Sequence, residues 1–166
     1  IRALQESTLP VEIIAVDMNP YSLGLFLEDK SFIAPPAASI ERYFRFIESL
    51  CKKFKIKAVF IGSEKELWFY AKRREILERP TGTKVFVSSP EVIKICRDKW
   101  LTMCYLSRFG FQTPKTIRYP EDTDQLPSFL IKTGFPLIVK PRMGRGAEGV
   151  ALVKNKRQLL RIIKSG

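Results

Sequence analysis

The residues whose types and spacing could do chemistry in this chain are lysines, arginines and glycines, and they converge in 135–150, FPLIVKPRMGRGAEGV. Lys140, Arg142 and Arg145 set three cations beside Gly144, Gly146 and Gly149. Glycine adopts positive φ freely, so successive backbone N–H groups can turn toward one anion with no Cβ in the way. Phosphate binding is the chemistry that suits this composition. The apolar run 136–139 predicts a buried strand ending at Lys140-Pro141, and 150–153 predicts a second, so two strands flank the glycine-rich loop. The result is a β-hairpin closing over phosphates. An ordinary hairpin with a long glycine-containing turn and solvated arginines is the plain alternative.

Three better-known phosphate motifs do not fit. Gly144-x-Gly146-x-x-Gly149 has the spacing of the dinucleotide fingerprint, but that motif needs a helix directly after the loop, and VALV at 150–153 is β-branched and strand-like. A Walker loop requires Gly-Lys-Ser/Thr and again a following helix. A kinase-like lobe also folds a glycine hairpin over ATP, with its essential lysine on the strand after the hairpin's second strand. Here Lys154 ends the second strand and Lys140 precedes the loop.

Composition limits what else is open. With 166 residues, 45% of them hydrophobic, the chain can bury a core. No apolar run is long enough to span a bilayer, and no charged-then-apolar leader is present, which predicts a soluble cytoplasmic protein. There is no histidine, which removes the commonest general base and most zinc sites. The cysteines Cys51, Cys96 and Cys104 form no Cys-x-x-Cys pair and are expected as reduced core residues. A formal charge of +12 raises the alternative of a basic nucleic-acid-binding module. The charge is scattered over 52–57, 72–74 and 154–164, however, and no exposed aromatic residues interleave with it, so solvated helix faces explain it better.

These residues need a frame to position them. IRALQES reads as the tail of a helix whose start is missing. Apolar runs at 11–18, 31–34, 56–61 and 84–87 predict strands, separated by helices from Ser39 and over 64–79, a βαβ rhythm that predicts an open, mostly parallel sheet with helices on both faces. Ile40, Tyr43, Phe44, Ile47, Leu50 and Cys51 form one apolar stripe of the first helix. Asp17 ends its strand before Asn19-Pro20, where it can hold a ribose hydroxyl or, more simply, cap a turn. Gly62, Ser63 and Glu64 lie in a loop at the carboxyl end of a strand, where ligands of such sheets sit, and a plain capping turn explains them equally well. Ser89-Pro90-Glu91 starts a helix and a new pattern, with a domain boundary near Ser89. Asp98 caps a further helix carrying Leu101, Cys104, Tyr105 and Phe109 toward a core, stopped at Gly110. An extended stretch over 111–119, a short helix before Gly134, the hairpin and a basic helix over 155–164 complete the chain.

Asp98-Lys99 at a helix start, Gly110-Phe111 with Thr113-Pro114, and the 135–150 stretch together resemble the ATP-grasp superfamily, closest to carbamoyl-phosphate-synthase large-subunit-like members. VEIIAVDMNPYSLG and IGSEKEL resemble the preATP-grasp domain of that superfamily. The resemblance implies an α/β fold, with an open, mostly parallel Rossmann-like sheet over 1–88. Over 89–166 it implies a small α+β subdomain with a glycine-rich β-hairpin, the N-terminal part of the ATP-grasp fold. It implies that Lys99 and Lys140 approach the ATP phosphates and that Gly144, Gly146 and Gly149, with Met143 and Ala147 in the same loop, form a flap over them. Arg142 and Arg145 join this set by charge and place, because cations against a triphosphate offset its repulsion. Gly62, Ser63 and Glu64 become candidates to line the substrate. Members activate a carboxylate or bicarbonate with ATP as an acyl phosphate, which an amine then attacks. The implied cofactors are ATP and Mg²⁺, with the metal ligands and adenine hinge expected in a C-terminal half beyond Gly166, so that this chain alone would be inactive. The implied partners are a small carboxylate or bicarbonate and an amine, without membrane or nucleic acid, and a homodimer is compatible.

Overall fold

The computed structural model of this chain describes residues 2–8, 10–28 and 30–165, with the backbone alone for residues 65 and 165. Ile1 and Gly166, where the sequence suggests a missing start and a missing continuation, lie outside the described residues. The chain separates into two compact units, Ile1–Ser89 and Pro90–Gly166.

The first unit begins with α1 (Arg2–Gln5), β1 (Ile14–Asp17), α2 (Leu23–Phe26) and β2 (Lys30–Ile33). It continues through α3 (Ile40–Lys53), β3 (Ala58–Phe60), α4 (Glu64–Thr81) and β4 (Lys84–Phe86). Strands β1 and β2 pair in parallel with Ala15 opposite Ser31, and β3 and β4 pair in parallel with Val59 opposite Val85. The parallel pairing follows the βαβ rhythm of the sequence. Among the described residues it is hydrogen-bonded as two separate pairs rather than one continuous sheet.

The core lies where α3 and α4 meet these strands. Tyr43, Ile47 and Cys51 from α3 pack with Phe69, Tyr70 and Leu77 from α4, with Ala34 and with Val85 from β4. The spacing of the α3 residues puts them on one helical face, and burial of that face stabilises a helix more than propensity does. Ile40, expected on the same stripe, is the first residue of α3 and is exposed. The Tyr43 hydroxyl donates to Glu66 Oε2 at 2.8 Å and lies 3.0 Å from the Tyr70 hydroxyl. Burial pushes the Tyr43, Tyr70 and Glu66 pKa values up. Thr83, also buried, donates from its hydroxyl to Ile56 O at 2.9 Å. Gly82 ends α4 at φ +67 with its N–H on Glu78 O at 2.8 Å, the left-handed cap that glycine favours.

The second unit comprises α5 (Pro90–Arg97), α6 (Lys99–Arg108), a 3₁₀ turn (Thr123–Gln125) and α7 (Leu126–Thr133), followed by β5 (Leu137–Val139), β6 (Ala151–Val153) and α8 (Lys156–Ser165). Strands β5 and β6 are antiparallel, with Ile138 opposite Leu152, and the loop 140–150 joins them. The hairpin read from 135–150 is therefore formed. A strand rather than a helix follows the loop, which removes the dinucleotide and Walker readings on geometry.

Two expectations for this unit are corrected. Tyr105 and Phe109 are exposed, as are Cys96 and Cys104. Of the three cysteines only Cys51 is buried. Helical spacing identifies residues that share a face, but it does not say whether anything covers that face. Among the described residues of this unit Ile93, Asp98, Val153 and Leu159 are the buried ones.

Leu77 is 1% exposed within the first unit's core. Leu77→Ala should therefore cost about 2–5 kcal/mol of stability, through lost burial and an unfilled cavity. Denaturant unfolding followed by circular dichroism checks it, and a cost below about 1 kcal/mol would mean that this core is not tightly packed.

Candidate functional site

The site begins at the N-terminus of α6. Asp98 caps this helix, its Oδ1 accepting from Trp100 N at 3.0 Å and Leu101 N at 3.2 Å. Two otherwise unpaired helical donors are thereby satisfied. The same carboxylate receives Arg142 from the hairpin loop, whose Nε lies 3.0 Å from Oδ1 and 2.8 Å from Oδ2. The hydrogen bond from Arg142 holds the Asp98 carboxyl below the usual carboxylate range, and the pairing raises the Arg142 guanidinium. Glu121 Oε1 lies 3.6 Å from Arg142 Nη1.

Lys99 follows directly. Its backbone N–H donates to Arg142 O at 3.0 Å, and its ammonium donates to Gly144 O at 3.1 Å. The first residue of α6 is therefore folded onto the glycine loop. A second ion pair braces the same end of the helix: Arg118 donates to both carboxylate oxygens of Asp122 at 3.0 and 2.9 Å and stacks over the Trp100 ring at 4.7 Å.

The loop itself bends repeatedly into the left-handed region. Gly144, Gly146 and Gly149 have φ of +127°, +60° and +68°, and Ala147, which carries a Cβ, is at +59°. Glu148 N donates to Arg145 O at 3.1 Å and Val150 N to Ala147 O at 3.1 Å, so the loop is built of local turns. At Gly149 a Cβ would sit 2.7 Å from Pro141 Cγ, closer than real contacts allow. The Pro141 ring just after β5 thus leaves room only for glycine at position 149. Residues 140–150 are all exposed, Lys140, Met143 and Arg145 included. Among the described residues neither Lys140 nor Arg145 has a carboxylate partner, which leaves both cations open to an anion.

Of the residues singled out from the sequence, the structure draws Lys99, Arg142 and Gly144 into direct contact and keeps Met143, Arg145, Gly146, Ala147 and Gly149 in the same loop, with Lys140 at its base. Arg142 differs from the others because its charge is already matched by Asp98 and Glu121. Gly62, Ser63 and Glu64 lie in the first unit, where Ser63 occupies the N-cap of α4 in an extended conformation without a side-chain cap hydrogen bond. Asp17 accepts from Asn19 N at 2.8 Å, which lowers its pKa and gives it the turn-capping role. Glu121 and Arg118 were not marked by the sequence: Arg118 pairs with Asp122 four residues on, but its stacking on Trp100 and the approach of Glu121 to Arg142 join residues distant in the chain.

Parallel βαβ units followed by a glycine-rich antiparallel hairpin define an α/β protein with an appended α+β subdomain. Residues 1–86 match the family described as PylC-like, N-terminal domain, and residues 96–165 match the ATP-grasp domain. The chain belongs to the PylC-like family and continues into an ATP-grasp domain. It is 37% identical over 71 residues to D-alanine–D-alanine ligase A of Bacillus cereus, a match covering 43% of this chain and 24% of that protein. A D-alanine–D-alanine ligase of Bacillus anthracis is 35% identical over 71 residues, covering 23% of its length. Among solved structures the fold is similar to the biotin carboxylase domain of Hydrogenobacter thermophilus 2-oxoglutarate carboxylase, in complex with MgADP, ADP and bicarbonate. The TM-score is 0.64 at 19% identity, covering 92% of this chain and 35% of that one. It is also similar to N5-carboxyaminoimidazole synthetase of Staphylococcus aureus complexed with ADP, with a TM-score of 0.64 at 17% identity, covering 92% of this chain and 38% of that one. At these identities the likeness is one of fold. The chain thus spans 24% of the first curated relative and 35% of the first structural one.

Two outcomes are expected from this geometry. Gly149→Ala should cost about 1–3 kcal/mol, from the strained φ and the contact with Pro141. A denaturation midpoint unchanged from wild type would show that the loop relaxes around the added methyl. The second concerns Asp98, whose folded-state pKa lies below its unfolded value near about 3.9. Its stabilising contribution is fully present above that value and is lost as the pH falls through the depressed folded value. Unfolding free energies measured between about pH 5 and pH 2 should therefore fall less steeply in Asp98→Asn than in wild type, and parallel curves would remove Asp98 from the acid response.

Proposed function

We propose that this chain is the ATP-binding portion of an ATP-dependent carboxylate–amine ligase, one that activates a carboxylate or bicarbonate as an acyl phosphate for attack by an amine. The contact that carries the proposal is Lys99 on Gly144 O, which sets an ammonium against a loop already rich in positive φ, exposed N–H groups and unpaired cations. Residues 1–88 act as the preATP-grasp domain and 89–166 as the first part of the nucleotide fold. Lys99 and Lys140 approach the phosphates, Arg145 adds charge, and the backbone of Met143, Gly144, Gly146, Ala147 and Gly149 folds over them. Gly62, Ser63 and Glu64, in the first unit, are the candidates to line a substrate.

The donor set fits ATP. A triphosphate needs cations and N–H donors in a site whose walls can close, and cations held near the transferring phosphoryl stabilise the charge that develops there. Mg²⁺ is different: among the described residues no group of three or more acidic, cysteine or histidine side chains could ligate it. When bound, ATP supplies the phosphoryl group that activates the carboxylate. This chain's residues bind its phosphates. Support for ligase chemistry also comes from the names of the relatives, a D-alanine–D-alanine ligase and a carboxyaminoimidazole synthetase. The basic nucleic-acid module and the kinase-like lobe are not favoured, given the ATP-grasp match over the hairpin.

Lys140→Ala, made in the protein that carries this chain, should weaken ATP binding about tenfold or more, as expected for loss of a charge-assisted phosphate contact. Calorimetric titration with ATP checks it. Because Lys140 is exposed, its fold should be unchanged, and an unaltered ATP affinity and turnover would overturn the proposal.

A further inference from the structure

The loop 140–150 is exposed throughout, so little burial holds it in place. Its order depends on a few polar ties, and those ties pass through Arg142. The guanidinium donates through Nε to both oxygens of Asp98, while the carbonyl of the same residue accepts from Lys99 N at 3.0 Å. Two positions further along the loop, Gly144 O accepts from the Lys99 ammonium. Arg142 is thus gripped at both its side chain and its backbone by two consecutive residues at one helix end. Glu121, at 3.6 Å, stands on its other side, and the neighbouring Arg118–Asp122 pair is held against Trp100, the next residue of α6. Three chain segments, the start of α6, the 118–122 turn and the base of the hairpin, are clasped by charges that alternate in sign.

We infer that Arg142 is a positioning residue rather than a phosphate ligand, and that the Asp98–Arg142 pair fixes the hairpin loop and Lys99 in a single geometry. This inference rests on the nucleotide reading of the hairpin. A phosphate-binding arginine must offer its guanidinium to the ligand, whereas this one is shared between two carboxylates, one of them buried. The carboxylate oxygen Oδ1 of Asp98 also caps α6, so a single oxygen sets the helix start and the loop together. Holding a cation and a backbone cradle in a fixed relation before the ligand arrives lowers the ordering cost of binding.

The test compares Asp98→Asn, Arg142→Gln and the double variant in the protein that carries this chain. Asparagine caps a helix about as well as aspartate, so D98N keeps α6 while removing the ion pair. Two readouts are taken: ATP affinity by titration, and hydrogen exchange of the 142–150 amides without nucleotide, with the interior amides of α6 as the control for general unfolding. Each single variant should weaken ATP binding by about tenfold and speed exchange in the loop selectively, and the double variant should be no worse than either single one. If Arg142 instead touched phosphate, R142Q would weaken binding while D98N, by freeing the guanidinium, would leave it unchanged or tighten it. That result would overturn the inference, as would unchanged loop exchange in both singles. Failure of the nucleotide reading is separable, because it would appear as wild-type-like ATP affinity in Lys140→Ala, a result that does not touch the exchange measurement.

Discussion

One carboxylate organises the second unit. Asp98 accepts two backbone N–H groups at the start of α6 and the guanidinium of Arg142, so helix and hairpin share an anchor that neither could replace alone. A buried carboxylate is costly unless its lone pairs are filled, and here the helix and the arginine fill them. The glycine loop can then remain open to solvent without drifting, since its base is fastened to a regular element. The first unit achieves rigidity differently, through aromatic and aliphatic packing of α3 and α4 on the parallel strands, with the Tyr43, Glu66 and Tyr70 cluster as its polar inclusion.

The two units also differ in how legible they were. Local signals carried far: the alternation of apolar runs with amphipathic stretches marked β1 to β4 and the helices α3 and α4, though not the short α2, and the flanking of a glycine run by VALV marked the hairpin. The N-cap role of Asp98 was readable because capping depends on residues within one turn. What depended on distance was not readable. Hydrogen bonding as two strand pairs, the exposure of Tyr105, Phe109, Cys96 and Cys104, and the pairing of Arg142 with Asp98 all depend on what stands opposite in space. A period of 3.6 names a face but not its neighbour.

The site shows the same division. Lys140 and the glycines were marked by type and spacing, and Lys99 by the family resemblance, all from signals that lie along the chain. Arg142 carries the same charge and sits in the same loop, so composition alone assigns it the same task. Only the position of a carboxylate 44 residues earlier in the chain distinguishes it, and Glu121 enters by the same long-range route through Arg142.

The strand β4 shows a quieter form of control. Its outer edge has no partner strand among the described residues, and an open edge offers a row of donors and acceptors to any passing chain. On this strand the N–H of Val85 already donates to Glu78 Oε1 at 2.9 Å, and the N–H of Val87, just beyond it, turns back to Val85 O at 3.1 Å. The side chain of α4 thus stands where a foreign strand would have to form its first hydrogen bonds. The helix that packs on the sheet also guards its border, and unwanted sheet extension must first dislodge a carboxylate held one turn from the end of that helix.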